Sequence, residues 1–265
     1  MTKVICHRLL QVLPTVLTSA QLCSVRGRSI FDGILALASA VEHLQRRRRP
    51  GFLLNLDLFH AYDRVCLPYV DRVLEVMGFG ETFRGWIRTL HRDATASFLL
   101  TRMTRMVPIL FSIRQGDPLA MLLFILQLEP FLWTLQETLP GISIGPLIES
   151  VLAYVDDVDV LGDSDDDLVM TDILTSRFEA MSGAILNRNR KSAVLGLGSW
   201  TGRQDWPLPW LLSPPSLKVF GVTYSTSLLR TISLSWTDAL QSFRAAIVPW
   251  ALRDLPTLRL RRDAL

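Results

Sequence analysis

The sequence predicts an α+β fold, with short strands in tight hairpins and apolar helices between them. Three observations predict it. Leu152-Ala-Tyr-Val-Asp-Asp-Val-Asp-Val-Leu161 reads as two β-branched, apolar strands around a tight turn. Gly51-Phe-Leu-Leu-Asn-Leu-Asp57 reads as a further buried strand that ends on an acid. Residues 3–22 and 30–45 carry apolar positions at helical spacing, and 119–135 is apolar almost all round. With 265 residues, 49% of them hydrophobic, the chain can bury a large core, as one multi-lobed domain or two small ones.

Each element has a local reason. Val4, Leu9, Leu10, Leu13, Leu17 and Leu22 give the first helix an apolar face, which Pro14 ends or kinks. Gly27 breaks the chain, and Ser29 caps a second helix from Ile30 to Gln45 with Asp32 in its first turn. Arg46 to Arg49 with Pro50-Gly51 is a basic turn, read first as a solvated connection, with a contact to nucleic acid or a targeting signal as alternatives. After Asp57, the amphipathic stretch Leu67 to Met77 stops at Gly78-Phe-Gly80, and a helix from Glu81 to Arg92 follows. Ala96 to Leu100 and Met106 to Phe111 read as a hairpin. In Arg114-Gln-Gly-Asp-Pro-Leu119, Gly116 allows backbone to approach a ligand, Asp117 is a cap and Pro118 opens a buried helix. A loop with Pro140, Gly141, Gly145 and Pro146 leads to the central hairpin. Asp163 to Asp167 suits the N-terminus of a helix that runs to Met181 and stops at Ser182-Gly183. Ala193 to Leu197 and Leu217 to Tyr224 read as a strand pair around a Trp/Pro-rich insertion. Ser235 to Leu265 reads as two amphipathic helices, with Arg253, Arg259, Arg261 and Arg262 on a basic side.

Composition narrows the function. The net charge of +3 leans toward a polyanionic partner. Of 28 basic residues only Lys3, Lys191 and Lys218 are lysines, and arginine suits bidentate phosphate contacts. Cys6, Cys23 and Cys66 have neither metal-ligand nor disulfide spacing, which predicts reduced thiols in an intracellular protein. His7, His43, His60 and His91 are scattered, which speaks against zinc. The apolar run Leu119 to Leu126 is cut by Gln127, Glu129 and Pro130, so no membrane span is expected. His7 and Arg8 interrupt the N-terminal apolar stretch, so no signal peptide is expected either.

The chemistry lies in the acids. Asp156 and Asp157 fall where the turn of a buried hairpin would be, and adjacent buried carboxylates are costly unless cations neutralise them. Asp57 supplies a third carboxylate at the end of its own strand. Hard oxygen ligands of this kind suit Mg²⁺, which takes one or two carboxylates and completes its shell from phosphates and water.

The order of these segments resembles the reverse transcriptase of non-LTR (LINE-type) retrotransposons over nearly the whole chain. The resemblance runs through Gln21 to Gly27-Arg-Ser-Ile30, Leu56-Asp-Leu-Phe-His-Ala-Tyr-Asp-Arg-Val65 and Arg114-Gln-Gly-Asp-Pro-Leu119 with Leu122-Leu-Phe124 and Leu128-Glu-Pro130. It continues through Tyr154-Val-Asp-Asp157, Ser182-Gly183 to Lys191-Ser192, and Leu217-Lys-Val-Phe-Gly-Val222. It implies a right-hand polymerase: partial fingers over residues 1–50, a palm with an antiparallel sheet over 51–227, and the start of a short helical thumb over 228–265, with fingers that start late and a thumb cut short.

The resemblance also assigns residues. Asp57, Asp156 and Asp157 match a metal-binding triad for two Mg²⁺ ions, with Mn²⁺ as the alternative. Tyr62 matches the ring under the incoming sugar that disfavours a ribose 2′-hydroxyl, Gln115 and Gly116 match the segment along nucleotide and template, and Arg114 a phosphate contact. Lys191 matches the lysine that protonates the pyrophosphate, Leu217 to Val222 the strand that steadies the primer, and Arg26 and Arg28 a segment near the template. The partners implied are an RNA template, a DNA primer and deoxynucleoside triphosphates, and the place of work implied is the nucleus. Phe59, His60 and Val155 depart from the family's commonest residues, at positions compatible with activity. The alternative reading is an inactive remnant of the same domain that acts as a nucleic-acid or protein binding module.

Overall fold

The computed structural model describes residues 2–92, 95–96, 106–108, 113, 116–188 and 191–251. In chain order the elements are α1 (Thr2–Val16), α2 (Ile30–Arg47), β1 (Pro50–Leu56), a 3₁₀ turn (Ala61–Arg64), α3 (Leu67–Val76), α4 (Glu81–His91), β2 (Thr95–Ala96) and β3 (Val107–Pro108). They continue with α5 (Pro118–Thr138), β4 (Ile142–Ile144), β5 (Leu147–Glu149), β6 (Val151–Tyr154), β7 (Asp157–Gly162) and α6 (Asp165–Ser182), then β8 (Ala193–Gly198), β9 (Ser216–Val219), β10 (Val222–Ser225) and α7 (Leu228–Ala251).

The centre is a four-stranded sheet in the order β6-β7-β1-β8. All its pairs are antiparallel, with Leu54 opposite Val160 on one side and Val194 on the other. Alternation divides its side chains between two faces. Phe52, Leu54, Leu56, Val158 and Val160 pack into a core with α1, α3, α5 and α6. Leu53, Leu161 and Leu195 pack on the other face with Leu37, Val41 and Leu44 of α2 and with Phe220 and Tyr224.

The helix ends obey their signals. Ser29 and Ser164 cap α2 and α6 in capping boxes with Asp32 and Asp167, and Gly183 ends α6 in the left-handed region at φ +74°. Asp117 accepts from the Leu119 N–H at the start of α5. Helix α5 is long and apolar enough to cross a bilayer by length and composition, but 72% of its apolar window is buried inside the fold, as a core helix requires.

Four expectations need correction. The first helix ends at Val16 rather than continuing to residue 22. Tertiary bonds replace helical ones there: the Thr18 N–H donates to Glu129 Oε1, and Leu22 and Ala20 pair with Ala153 at the edge of β6. Residues 142–149, expected as loop, form the hairpin β4–β5, turned at Gly145 with φ +62°. Strands β8 and β9 do not pair with each other. β8 takes the free edge of β1, and β9 closes on β10 because Phe220 and Gly221, at φ +51° and +79°, make a tight turn. The tail begins as one helix at Leu228 rather than at Ser235. The part expected beyond residue 251, its arginines included, lies outside the described residues, as does most of the hairpin expected over 96–111.

Candidate active site

Asp57 leaves the end of β1 with its backbone tied on both sides. Its N–H donates to Ser192 Oγ at 3.2 Å and its carbonyl accepts from the Asn187 N–H at 2.8 Å. Its carboxylate accepts from Asn187 Nδ2 at 2.9 Å and lies 3.7 Å from Lys191 Nζ. The lysine side chain is 68% exposed and the aspartate 28%, so this pair faces solvent and the ammonium is free to move.

Asp156 and Asp157 sit on the β6–β7 connection. Tyr154 pairs with Asp157, which leaves Val155 and Asp156 as a two-residue turn. Val155 holds φ +60°, a region that glycine normally fills at the first central position of such a turn. The side-chain amide of Gln21, fully buried, meets both polar groups of that residue: Oε1 accepts from the Val155 N–H at 3.2 Å and Nε2 donates to its carbonyl at 3.4 Å.

The acids feel each other. Burial raises the pKa of Asp156, and the charge of Asp57 adds to it while a backbone hydrogen bond opposes both. Burial also raises Asp157, followed by the charges of Asp156 and Asp57, although the Asp157 side chain reaches the surface. Among the described residues no three His, Cys, Asp or Glu side chains converge closely enough to form a ready metal cluster. The three acids share a site electrostatically, with the Asp57 carboxylate turned to Asn187 and Lys191.

Tyr62, on the 3₁₀ turn that follows Asp57, stacks on Phe124 of α5 at 5.1 Å between ring centroids. Burial first, then the Asp156 charge and Cys23, push its hydroxyl up to about 12, so it stays protonated at neutral pH. Its ring is therefore both packed against the core and next to the acids. Gly116 holds φ +88° on the surface before α5, with nothing within 4 Å of where a Cβ would stand. Arg114 and Gln115 lie outside the described residues.

The two arginines expected near a template separate. Arg26 is exposed and lines a groove of about 580 Å³ with His7, Gln11 and Ser24. Arg28 is turned inward: it donates to the carbonyls of Leu17, Thr18 and Gln21, the last at 2.8 Å. A guanidinium spent on three carbonyls staples the segment between α1 and α2.

Sequence reasoning passes over Gln21, Asn187, Ser192 and Asp159. The first three have a signal, because they fall inside the matching segments, but no chemistry distinguishes them. Asp159 is fully buried on β7, accepts from Asn55 Nδ2 at 2.9 Å and is pushed well above the ordinary carboxylate range by burial.

Comparison with known proteins sets this geometry in a family. The family model described as reverse transcriptase (RNA-dependent DNA polymerase) matches residues 1–223. The uncharacterized 149 kDa protein of transposon TX1 from Xenopus laevis is 32% identical over 197 residues, 73% of this chain and 15% of its own length. A retrovirus-related Pol polyprotein from the type-1 retrotransposable element R2 of Popillia japonica is 29% identical over 64% of this chain and 29% of its own length. This chain thus spans under a third of these curated relatives. In fold it is similar to apo telomerase from Candida tropicalis, with a TM-score of 0.58 at 12% identity over 85% of this chain and 39% of that one. Telomerase from the same organism in complex with a fragment of telomeric RNA gives 0.60 at 13% identity, over 84% and 36%. With acids from β1 and the β6–β7 turn at one end of its sheet, and with the family model matched from residue 1 to 223, the chain belongs to the reverse transcriptase family, on its non-LTR, LINE-type branch.

Proposed function

We propose that this chain is the RNA-directed DNA polymerase domain of a retrotransposon-derived protein, adding deoxynucleotides to a primer 3′-hydroxyl along an RNA template. One observation carries the reading: Asp57, Asp156 and Asp157, from two separate segments, share one electrostatic site beside Tyr62 and Lys191. On this reading residues 1–50 belong to the fingers, 51–227 to the palm and 228–265 to the start of the thumb.

The donor set suits divalent metal. Three carboxylates are hard oxygen ligands, and Asp156 and Asp157, raised by burial and then by neighbouring carboxylate charge, would be relieved by a cation beside them. Two Mg²⁺ ions, with Mn²⁺ as a substitute, would supply activation of the primer hydroxyl and neutralisation of phosphoryl charge. Asp57, Asp156 and Asp157 would hold them. Lys191, whose Nζ lies 3.7 Å from the Asp57 carboxylate, would give a proton to the departing pyrophosphate oxygen. The packed Tyr62 ring would form a floor under the incoming sugar, since stacking on Phe124 limits how far it can yield to a 2′-hydroxyl.

The test is extension of a DNA primer on an RNA template by the purified chain, with and without Mg²⁺. Metal-dependent extension with deoxynucleotides, lost in Asp156→Ala, is the expected result. A folded chain that binds RNA and never extends would make it a binding module instead.

A further inference from the structure

The turn that carries Asp156 and Asp157 is not a conformation its own residues favour. Val155 is β-branched, and a left-handed backbone at such a residue is strained. A two-residue turn with φ > 0 at its first position ordinarily takes glycine there. Something outside the hairpin must hold it, and the grip comes from a segment 134 residues earlier in the chain.

That segment is pinned at several points. The Thr18 N–H donates to the buried Glu129 carboxyl on α5. Arg28 donates to the carbonyls of Thr18 and Gln21. The Ala153 N–H donates to the Ala20 carbonyl at 2.8 Å, and the Leu22 N–H to the Ala153 carbonyl at 2.9 Å, so the segment runs as an added edge beside β6. Between those two bonds the Gln21 side chain points at the turn. Its Oε1 accepts from Val155 and, at 3.0 Å, from Cys23, while Nε2 donates back to the Val155 carbonyl. An amide is the side chain that can offer an acceptor and a donor to one residue's backbone at once.

We infer that Gln21 is a positioning residue for the reaction: its amide clamps Val155 in the left-handed region and thereby sets the direction of the Asp156 and Asp157 carboxylates. This rests on the polymerase reading, because only there does the aim of those carboxylates matter. Gln21 is fully buried, and among the described residues its amide bonds to the backbone of Val155 and Cys23. It acts through the backbone of Val155.

The test uses the full chain and four variants: Gln21→Leu, which removes both bonds; Gln21→Glu, which keeps the acceptor; Val155→Gly, which removes the need for a clamp; and Gln21→Leu with Val155→Gly. Two readouts are taken, amide hydrogen exchange at Val155 and Asp156, and kcat and KM for nucleotide in primer extension. Gln21→Leu is expected to speed exchange at the turn and to lower kcat about tenfold or more with KM within about twofold. Gln21→Glu should fall between it and the parent. In the Val155→Gly background the same Gln21→Leu change should cost about threefold or less, because a glycine takes the turn unaided. A buried amide with a merely structural role would lower thermal stability without the glycine rescue. Unchanged exchange at Val155 in Gln21→Leu, or unchanged kcat, overturns the inference. Should Gln21→Leu fail to fold, Gln21→Glu against the parent decides by the same two readouts. A parent that does not extend at all defeats the polymerase reading, and faster exchange in the variants would still show the clamp itself.

Discussion

Asp157 and Asp159 stand two residues apart on β7, so their side chains leave the same face of the sheet, yet they have opposite surroundings. At the mouth, Asp157 reaches the surface beside Asp156 and Asp57. One pleat deeper, Asp159 has no exposed surface, takes one hydrogen bond from Asn55, and keeps a second oxygen without a hydrogen-bond partner among the described residues. Burial pushes its pKa well above the ordinary carboxylate range, against the bond from Asn55 and with the Asp157 charge adding to the rise. Depth, not residue type, separates the two: burial works against the charged form at both, and most at Asp159. An acid at the mouth can be relieved by a cation from solvent, whereas the one beneath it relies on a hydrogen-bond partner.

The largest effect should separate the two by function. Asp157→Ala is expected to cut primer extension by on the order of 10³-fold or more, with the fold intact by circular dichroism. Asp159→Ala should do the reverse. It leaves the Asn55 amide without its partner, which costs about 1–3 kcal/mol in denaturant unfolding, and extension per folded molecule falls far less than in Asp157→Ala. Equal losses of activity in the two variants would erase the distinction between mouth and depth.

A second buried acid sharpens the point on the opposite face. Burial pushes Glu129 up to about 7, against hydrogen bonding from Thr18 and the Arg28 charge. In the unfolded chain the same carboxyl titrates near its ordinary value of 4.5. Between these values the folded state holds a proton that the unfolded state has released, so this group's contribution to stability is full below about 4.5 and lost as pH rises to about 7. Glu129→Gln keeps an acceptor for the Thr18 N–H and has nothing to titrate. The difference between its unfolding free energy and the parent's should therefore widen across that window, by up to roughly 3 kcal/mol, and level off above it. A constant difference from about pH 5 to 8 would show that Glu129 is not held neutral.

What is legible in the sequence follows the same division. Tyr154-Val-Asp-Asp157 and Asp57 can be read because a charged residue between apolar, β-branched arms contradicts its local pattern. Helix caps such as Ser29 and Asp117 can be read because their partners lie two or three residues away. Asp159 sits in the same stretch, but its burial and its hydrogen bond from Asn55 on β1 depend on how distant strands pair. The end of α1 escapes the pattern for a similar reason: its apolar spacing continues to Leu22, while the hydrogen bonds that stop it come from Glu129 and Arg28. The inward turn of Arg28 is hidden as well, because its acceptors are backbone carbonyls, which no residue pattern advertises. Gln21 grips Val155, 134 residues further along the chain. Short-range chemistry can be read from spacing, and bonds between distant segments need the fold.

The smallest expected effect has the most informative sign. Asp157→Asn removes one of three mutually repelling carboxylates and keeps nearly the same shape. Without metal it should stabilise the fold, and because the group reaches solvent the gain is on the order of 1 kcal/mol or less. Adding Mg²⁺ should raise the melting temperature of the parent and leave the variant almost unmoved, since the cation then relieves nothing. The same substitution should lose extension as Asp157→Ala does. Gain in stability together with loss of activity is what a site built to be completed by a cation requires. Asp159→Asn, one pleat deeper and away from solvent, keeps an acceptor for Asn55 and should leave the response to Mg²⁺ as it is in the parent. If Asp157→Asn destabilised the metal-free chain, the mouth acids would be structural like Asp159, and the contrast between the two ends of β7 would collapse.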